Sequence, residues 1–308
     1  MTEAILQVRD LEVTFPGESL LPWRRPPPFH AVRHASFDVS RREIVGLVGE
    51  SGSGKTTLSR ALLRLQPISS GSIDFDGLDL LALDRAGMAR LRRRMQVIFQ
   101  DPYTSLNPRM TAGRNVAEGM LLQRACNRVE AIDRAVALLR QVGLPADAAR
   151  RYPHEFSGGQ RQRIGIARAL AVEPEFLIAD EPVSALDMSI QAQILNLLLE
   201  QQEQRGLSVL FIGHDLSVIR QVCDRVIVMC RGSIVEIALT EALFNQPMHP
   251  YTQSLLEAVP VAHPTLRRPV AKGIAQRWVP VETGSALPLP MRVCDPGHLV
   301  AEFALCSD

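Results

Sequence analysis

Lysine is the scarcest charged residue in this sequence. Of the 34 lysines and arginines among 308 residues, only Lys55 and Lys272 are lysines. Because the chain otherwise places its positive charge on arginine, a lysine at position 55 indicates a site that needs a compact ammonium group. The net charge of +1 leaves no global field that would attract nucleic acid or an anionic membrane.

Paired cysteines and long apolar segments are also lacking. The cysteines are odd in number and scattered, so we expect free thiols in a reducing compartment rather than disulfides. They are Cys126, Cys223, Cys230, Cys294 and Cys306. The first ten residues are mixed and charged, unlike a signal segment. No stretch approaches the ~18 apolar residues of a membrane-spanning helix. We therefore expect a soluble, cytoplasmic chain that reaches a membrane only through a partner.

Short apolar runs alternate with amphipathic segments over most of the chain. Strands are predicted at 4–15, 34–40, 43–48, 97–99, 176–179, 209–213 and 226–229, and helices at 58–65, 86–94, 131–142, 160–171 and 189–205. Several strands are wholly apolar, which is typical of a mostly parallel sheet covered on both faces. We expect an irregular loop at 16–29 and an extension of weaker order at 241–308.

A glycine-rich loop follows the predicted strand at 43–48. Its residues are Gly49, Glu50, Ser51, Gly52, Ser53, Gly54, Lys55 and Thr56. Glycines let backbone N–H groups turn inward around phosphates, the lysine can reach the β- and γ-phosphates, and the threonine hydroxyl can bind Mg²⁺. Because a strand precedes the loop and a helix follows it, the match predicts an ATP-binding loop rather than an ordinary glycine turn.

Two further motifs lie later in the chain. The apolar run from Phe176 ends in Asp180 and Glu181, where a strand-end aspartate would order the Mg²⁺ shell and the glutamate would polarise the attacking water. Upstream, Ser157, Gly158, Gly159 and Gln160 open a helix whose N-terminus can bind an anion. Taken alone, the two acids could simply be solvated residues at a strand end, and the glycine motif could be an ordinary helix start.

Together these motifs resemble the nucleotide-binding subunit of ABC transporters. The resemblance implies that the signature, Ser157–Gln160, contacts the γ-phosphate of ATP bound by the opposite subunit. It also implies that Thr57, the residue after the loop, contacts the nucleotide. Gln100 would contact Mg²⁺ and the lytic water, and His214 would hydrogen-bond the γ-phosphate. Asp187 would lie in the segment that crosses the dimer interface. Gly213 is a small departure, since relatives carry Ser or Thr there.

An aromatic residue before the loop would stack on adenine. By similarity Phe15 is the first candidate, because it ends the first predicted strand. Trp23 and Phe29 compete with it, because the proline-rich insertion obscures the register, and plain hydrophobic packing is as good an interpretation for each.

Three segments narrow the resemblance to the dipeptide/oligopeptide/nickel importer ATPases. They are residues 100–108, residues 151–163 and the run Pro247-Met-His-Pro-Tyr-Thr-Gln-Ser-Leu-Leu. Many relatives also carry four C-terminal cysteines associated with an iron–sulfur cluster. Only Cys294 and Cys306 remain in this extension, so the four-cysteine cluster of those relatives is not available within one chain.

The resemblance implies a phosphate-loop, RecA-like α/β fold with a mostly parallel sheet, an antiparallel N-terminal β part, an inserted helical subdomain (about 101–165) and a small C-terminal extension. The expected domains are 1–240 and 241–308. The expected cofactors are ATP and Mg²⁺. The expected partners are a second ATPase subunit, identical or paralogous, two permease subunits and an extracytoplasmic solute-binding protein, with no nucleic acid. The chain would lie at the cytoplasmic face of the inner (plasma) membrane.

Other functions remain open from the sequence. A soluble ABC-type ATPase of DNA repair or chromosome structure would carry long coiled coils or zinc modules between the motifs, and a translation-associated one would carry two tandem cassettes. Neither feature is present. An exporter subunit is the remaining alternative, and the His-Pro-Tyr segment argues against it. The sequence thus favours an importer ATPase for peptides or related small solutes.

Overall fold

The computed structural model describes residues 3–17, 27–101, 105–123, 126–184, 186–258, 278–280 and 290–305. Contacts divide the chain into two compact units. Unit 1 comprises residues 1–3, 40–43 and 82–211, and unit 2 comprises residues 4–39, 44–81 and 212–308. No helix within the described ranges is long and apolar enough to cross a membrane.

The elements alternate between strand and helix through the middle of the chain. The strands are β1 Ala4–Phe15, β2 Phe29–Ser40, β3 Ile44–Val48, β4 Ser70–Phe75, β5 Leu78–Asp79, β6 Met95–Ile98, β7 Phe176–Asp180, β8 Ser208–Ile212, β9 Arg225–Cys230, β10 Ser233–Leu239, β11 Trp278–Pro280, β12 Met291–Asp295, β13 His298–Ala301 and β14 Phe303–Leu305. The α-helices are α1 Lys55–Leu62, α2 Arg85–Arg94, α3 Ala112–Leu122, α4 Arg128–Gln141, α5 Gly158–Leu170, α6 Met188–Arg205, α7 Leu216–Val222, α8 Thr240–Asn245 and α9 Pro250–Glu257, with short 3-10 helices at Ala146–Arg150 and Pro153–Glu155.

Unit 2 contains an antiparallel and a mixed set of strands. The first has the order β2-β1-β4-β5, with β4 antiparallel to β1 and β5. In the second, β3 and β9 are parallel, and Val45 lies opposite Arg225. Antiparallel β10, β13 and β12 continue it beyond β9. Every residue of β3 is buried, as expected of a strand covered on both faces, and β3 leads directly into the glycine loop.

Unit 1 combines parallel strands with a group of helices. β6 and β7 are parallel, with Met95 opposite Phe176 and Ile98 opposite Ala179, and β8 follows β7 in the strand order. Helices α3, α4 and α5 pack against one another, and buried alanines such as Ala117 and Ala135 let them approach closely. The parallel strands and the antiparallel N-terminal sheet confirm the predicted α/β fold class.

The expectation of weaker order beyond residue 240 is wrong for the described residues. Helices α8 and α9 form there, and the β12–β13 hairpin pairs with β10, with Val300 opposite Glu236. Leu243, Tyr251 and Val300 are buried. The pairing joins residues far apart in sequence, which local periodicity does not reveal.

Candidate nucleotide-binding site

The predicted phosphate loop lies between β3 and α1. Gly49, Gly52 and Gly54 have φ values of 155°, 82° and 105°, a backbone region that side chains rarely enter. A Cβ on Gly49 would lie 2.1 Å from the carbonyl oxygen of Met229, and one on Gly54 would lie 2.4 Å from that of Ala31. At Gly52 a Cβ would meet nothing within 4 Å. The loop is thus packed tightly at both ends and open at Gly52.

Lys55 is buried inside the loop, with a relative exposure of 6%. Its Nζ donates to the carbonyl oxygens of Gly49, at 2.7 Å, and Glu50, at 2.8 Å, and to Ser53 Oγ at 3.4 Å. A buried ammonium must be matched by acceptors, and the loop backbone supplies them. A compact, strongly hydrated point charge fits this cradle better than a planar guanidinium.

Helix α1 begins at Lys55 itself, rather than at the predicted Leu58. Thr56, which is exposed, and Thr57 therefore lie in its first turn, where backbone N–H groups have no partner within the helix. Ser51 and Gly52 are exposed, whereas Ser53 is buried. This places hydroxyl and N–H groups side by side at a helix N-terminus, an arrangement that favours anions.

The acidic strand end lies in unit 1. Asp180 ends β7 with a relative exposure of 7%. Glu181 has φ of 46°, a left-handed conformation that strains a residue other than glycine. The backbone N–H and the hydroxyl of Ser184 both donate to the Glu181 carbonyl, at 3.3 and 3.2 Å. This turn fixes the direction in which the carboxylate leaves the strand.

Gln100 and Glu181 are brought together by the parallel pairing of β6 and β7. The amide Nε2 of Gln100 donates to Glu181 Oε2 at 2.9 Å. The two side chains are 81 residues apart in sequence, and each follows the carboxyl end of its strand. This contact joins two predicted site residues of unit 1 that follow different strands.

The signature opens helix α5 with a capping box. Ser157 Oγ accepts from the Gln160 N–H at 3.4 Å, and Gln160 Oε1 accepts from the Ser157 N–H at 3.1 Å. A Cβ on Gly159 would lie 2.5 Å from Ile190 Cγ2 of α6. Ser157 and Gln160 therefore cap the start of α5. Gly159 lets helix α6 pack closely against α5.

Asp187 and His214 lie at the ends of other elements. Asp187 is the exposed N-cap residue of α6, and its side chain makes no capping hydrogen bond. His214 is exposed two residues after β8, and the neighbouring Gly213 N–H donates to the Leu47 carbonyl at 3.2 Å. His214 and the phosphate loop belong to unit 2, whereas Asp187, the signature and the acidic strand end belong to unit 1.

Two of the three adenine candidates lie at strand ends. Phe15 ends β1 and is half-buried, and Phe29 begins β2 with a relative exposure of 62%. Thr14 Oγ1 lies 3.2 Å from His30 Nδ1, so the two strand ends are close. Trp23 lies outside the described residues. The selection of Phe15 stays a prediction.

The contacts that hold the phosphate loop from residues later in the chain were not predicted from the sequence. The hydroxyl of Tyr251 accepts from the Glu50 N–H at 2.9 Å, and the Gly232 N–H donates to the Ser53 carbonyl at 2.9 Å. Loop residues 50–53 line a cavity of about 130 Å³ together with Cys230, Arg231 and Tyr251. Tyr251 belongs to the His-Pro-Tyr segment, which the sequence marks as unusual without indicating that it meets the loop.

Comparison with known proteins identifies the family. A model described as "ABC transporter" matches residues 32–184, and one described as "Oligopeptide/dipeptide transporter, C-terminal region" matches residues 235–283. The oligopeptide transport ATP-binding protein AmiF of Streptococcus pneumoniae is 48% identical over 303 residues, covering 97% of this chain and 95% of AmiF. The chain belongs to the ABC transporter ATP-binding proteins.

Within this family the chain is an ATP-binding and ATP-hydrolysing subunit of an importer. The match to the oligopeptide/dipeptide transporter C-terminal region supports an importer and not an exporter subunit. The glutathione import ATP-binding protein GsiA of Pectobacterium atrosepticum is 52% identical over 266 residues, which are 86% of this chain and 43% of GsiA.

A solved ABC ATPase shares the fold. The ATP-binding cassette MJ0796, in a dimeric post-hydrolysis state bound to ADP and Pi, matches with a TM-score of 0.68 and 28% identity, over 76% of this chain and 98% of that one. This match agrees with the α/β architecture described above.

The cysteines agree with the prediction of free thiols as far as the structure describes them. Cys126, Cys223, Cys230 and Cys294 are all free. Burial raises the pKa of the Cys230 thiol to about 11. Arg231 and a hydrogen bond with Tyr251 lower this pKa by smaller amounts, and Glu50 raises it slightly. At neutral pH this sulfur is therefore a protonated, unreactive thiol.

Proposed function

We propose that this ABC ATPase energises uptake of peptides or related small solutes, using ATP that is shared between two ATPase subunits. The observation that carries the proposal is the buried Lys55 ammonium inside a glycine-turned loop, in a chain that also pairs Gln100 with Glu181. AmiF is named for oligopeptides and GsiA for glutathione, and both cargoes are peptides, which supports this cargo class.

Binding begins at the phosphate loop. Lys55 Nζ holds the Gly49 and Glu50 carbonyls, and we expect it to turn from them toward the β- and γ-phosphates. The N–H groups of Thr56 and Thr57 add hydrogen bonds and the favourable dipole of helix α1. The open space at Gly52 lets the backbone approach the phosphates. Phe15 would stack on adenine.

Three predicted side chains would supply oxygen donors to Mg²⁺. They are the Thr56 hydroxyl, the Gln100 amide oxygen and the Asp180 carboxylate. One carboxylate with neutral oxygens is the donor set that Mg²⁺ takes when phosphates and water complete its shell. Bound there, Mg²⁺ would neutralise charge on the β- and γ-phosphates.

Glu181 is the residue that polarises the attacking water. Its strained backbone and the turn through Ser184 hold the carboxylate in a fixed direction, and the Gln100 amide orients it further. His214 would bond the γ-phosphate from the end of β8. In this proposal catalysis depends on positioning and charge stabilisation of the transferring phosphoryl group.

The second half of each site comes from the partner ATPase. Helix α5 presents Ser157–Gln160 at its N-terminus, where a γ-phosphate held by the opposite chain would find N–H groups and a favourable dipole. Asp187 would approach the same interface. Closure around ATP and reopening after hydrolysis would then move the helical subdomain, about 101–165.

The proposed assembly extends across the membrane. Two permease subunits would receive the motion, a solute-binding protein would deliver the cargo from outside, and the ATPases would lie at the cytoplasmic face of the inner membrane. Residues 1–240 would form the ATPase domain and 241–308 the importer-specific extension.

The Glu181→Gln variant tests this proposal. With water activation removed and the nucleotide contacts intact, we expect ATP and Mg²⁺ to hold the variant as a stable dimer, measured by light scattering. Glu203→Gln, at an exposed position of α6, is the matched control and should dissociate like the wild type. A Glu181→Gln chain that stays monomeric with ATP would contradict the shared site.

A further inference from the structure

One peptide unit of the phosphate loop is held from both of its polar ends. The unit joins Gly49 to Glu50. Its carbonyl oxygen accepts from Lys55 Nζ at 2.7 Å, and its N–H donates to the hydroxyl of Tyr251 at 2.9 Å. Tyr251 lies 201 residues beyond Glu50 in sequence. Because both ends are bonded, rotation of this peptide plane would break two hydrogen bonds at once.

The Tyr251 side chain has a second contact inside the protein. It shares a side-chain hydrogen bond with Cys230, while its hydroxyl oxygen accepts from the Glu50 N–H. Burial raises the pKa of Tyr251 further above its usual value, so the phenol keeps its proton at every physiological pH. Tyr251 itself has a relative exposure of 4%, so water competes little for this contact.

Tyr251 is in turn fixed by a buried carboxylate. Glu236 of β10 has a relative exposure of 0%. It accepts from the N–H groups of Met248, at 2.8 Å, and His249, at 3.1 Å, and from His298 Nε2 at 2.7 Å. His249 Nδ1 accepts from the Tyr251 N–H at 3.1 Å and so caps helix α9. The C-terminal extension and β10 therefore hold the tyrosine against the loop.

We propose that Tyr251 is a positioning residue for nucleotide binding, which fixes the Gly49–Glu50 peptide in the orientation that the phosphate loop needs. The inference rests on the proposed function in that this loop binds ATP. Without the hydroxyl, the Glu50 N–H loses its partner and the peptide can rotate. The Gly49 carbonyl then no longer holds Lys55, and the loop must be reordered each time a nucleotide binds.

The test is Tyr251→Phe in the full-length chain. Loss of one buried hydrogen bond predicts that the dissociation constants of ATP and ADP, measured calorimetrically with Mg²⁺, rise about five- to tenfold. Turnover at saturating ATP should change by less than about twofold, because the lost contact acts on binding rather than on the reacting atoms. The matched control is Tyr152→Phe, since Tyr152 is 43% exposed, and it should leave both values unchanged.

Hydrogen exchange separates positioning from general destabilisation. In nucleotide-free Tyr251→Phe the Glu50 amide should exchange at least about tenfold faster, while the amides of Leu47 and Val48 in β3 keep wild-type rates. Wild-type nucleotide affinity, or equal acceleration across β3, would overturn the inference. If Tyr251→Phe fails to fold, Glu236→Gln is tested instead. This change weakens the hydrogen bonds that hold residues 248 and 249 without altering the loop, so it should weaken ATP binding and speed exchange at Glu50. Unchanged values would again overturn the inference.

Lys55→Ala, measured beside Tyr251→Phe, distinguishes this inference from the proposed function. If Lys55→Ala still binds ATP, the nucleotide assignment of the loop is wrong, yet exchange at Glu50 in the nucleotide-free protein still reports the contact with Tyr251. If Lys55→Ala loses ATP and Tyr251→Phe binds it normally, only the positioning role fails.

Discussion

The phosphate loop and the segment that supports it are ordered in different ways. Within the loop, Lys55 donates to carbonyl oxygens that lie only five or six residues away in sequence. In the supporting segment, the decisive contacts join residues 62 and 201 positions apart, Glu236 with His298 and Glu50 with Tyr251. A site whose chemistry is local thus depends on long-range contacts for its rigidity. Changes in the loop should abolish function, whereas changes in the support should weaken it.

The largest effect is expected in the loop itself. Lys55→Ala removes the ammonium that would neutralise the β- and γ-phosphates, so ATP affinity should fall by at least about a hundredfold, in line with the strength of charge-assisted hydrogen bonds. Equilibrium binding of ATP with Mg²⁺ measures it. Lys55→Arg keeps the charge but not the compact shape, and it should also bind poorly. If Lys55→Ala binds ATP as tightly as the wild type, the loop does not supply the main contacts to the nucleotide.

A smaller effect is expected at the signature helix. Ala at position 159 would place a Cβ 2.5 Å from Ile190 Cγ2, whereas at Gly165 of the same helix a Cβ meets nothing within 4 Å. Gly159→Ala should therefore cost about 2–3 kcal/mol of unfolding free energy, and Gly165→Ala should be neutral or stabilise by about 0.5–1 kcal/mol. Urea denaturation measures both. Equal changes in the two variants would show that close packing of α6 does not require Gly159.

The effect that is smallest at neutral pH concerns titration in the supporting segment. Burial lowers the pKa of His249 to about 4, from a usual value of 6.5. The folded chain keeps this imidazole neutral while the unfolded chain protonates it, so its contribution to stability is complete above about pH 6.5 and is lost as the pH falls toward 4. We expect a loss of about 3 kcal/mol across this range, measured by denaturation at each pH.

His249→Asn is the control for this titration. Asparagine can accept the Tyr251 N–H as a helix cap but has no proton to gain. The variant should therefore lose less stability than the wild type between pH 6.5 and 4, with Glu236 and His298 present in both chains. Parallel stability curves would contradict the assignment of the pH dependence to His249.

The predictable parts of the molecule are those whose signals are contiguous. The apolar strands β3, β7 and β8, the glycine loop and the amphipathic helices of unit 1 follow from local pattern, and the acids after β7 follow from their place at a strand end. The contact of Gln100 with Glu181 depends on β6 and β7 being neighbours, which spacing along one sequence does not specify.

The elements that were not predicted from the sequence depend on contacts with residues far away in the chain. β10 contains Glu236, a residue that favours a solvated position unless its burial is compensated, and here residues 12 and 62 positions later compensate it. The β12–β13 hairpin carries exposed Arg292, Val293 and Cys294 and gains its order by pairing with β10. Local propensity underestimates such segments, because their order is supplied by tertiary contacts.

The central claim is that Glu181 activates water for ATP bound at the Gly49–Thr56 loop. Its most direct test compares ATP affinity and single-turnover hydrolysis in wild-type and Glu181→Gln chains. We predict affinity within about twofold and hydrolysis slower by at least about a hundredfold, the usual scale for loss of a general base. Hydrolysis at the wild-type rate with unchanged affinity would contradict the account.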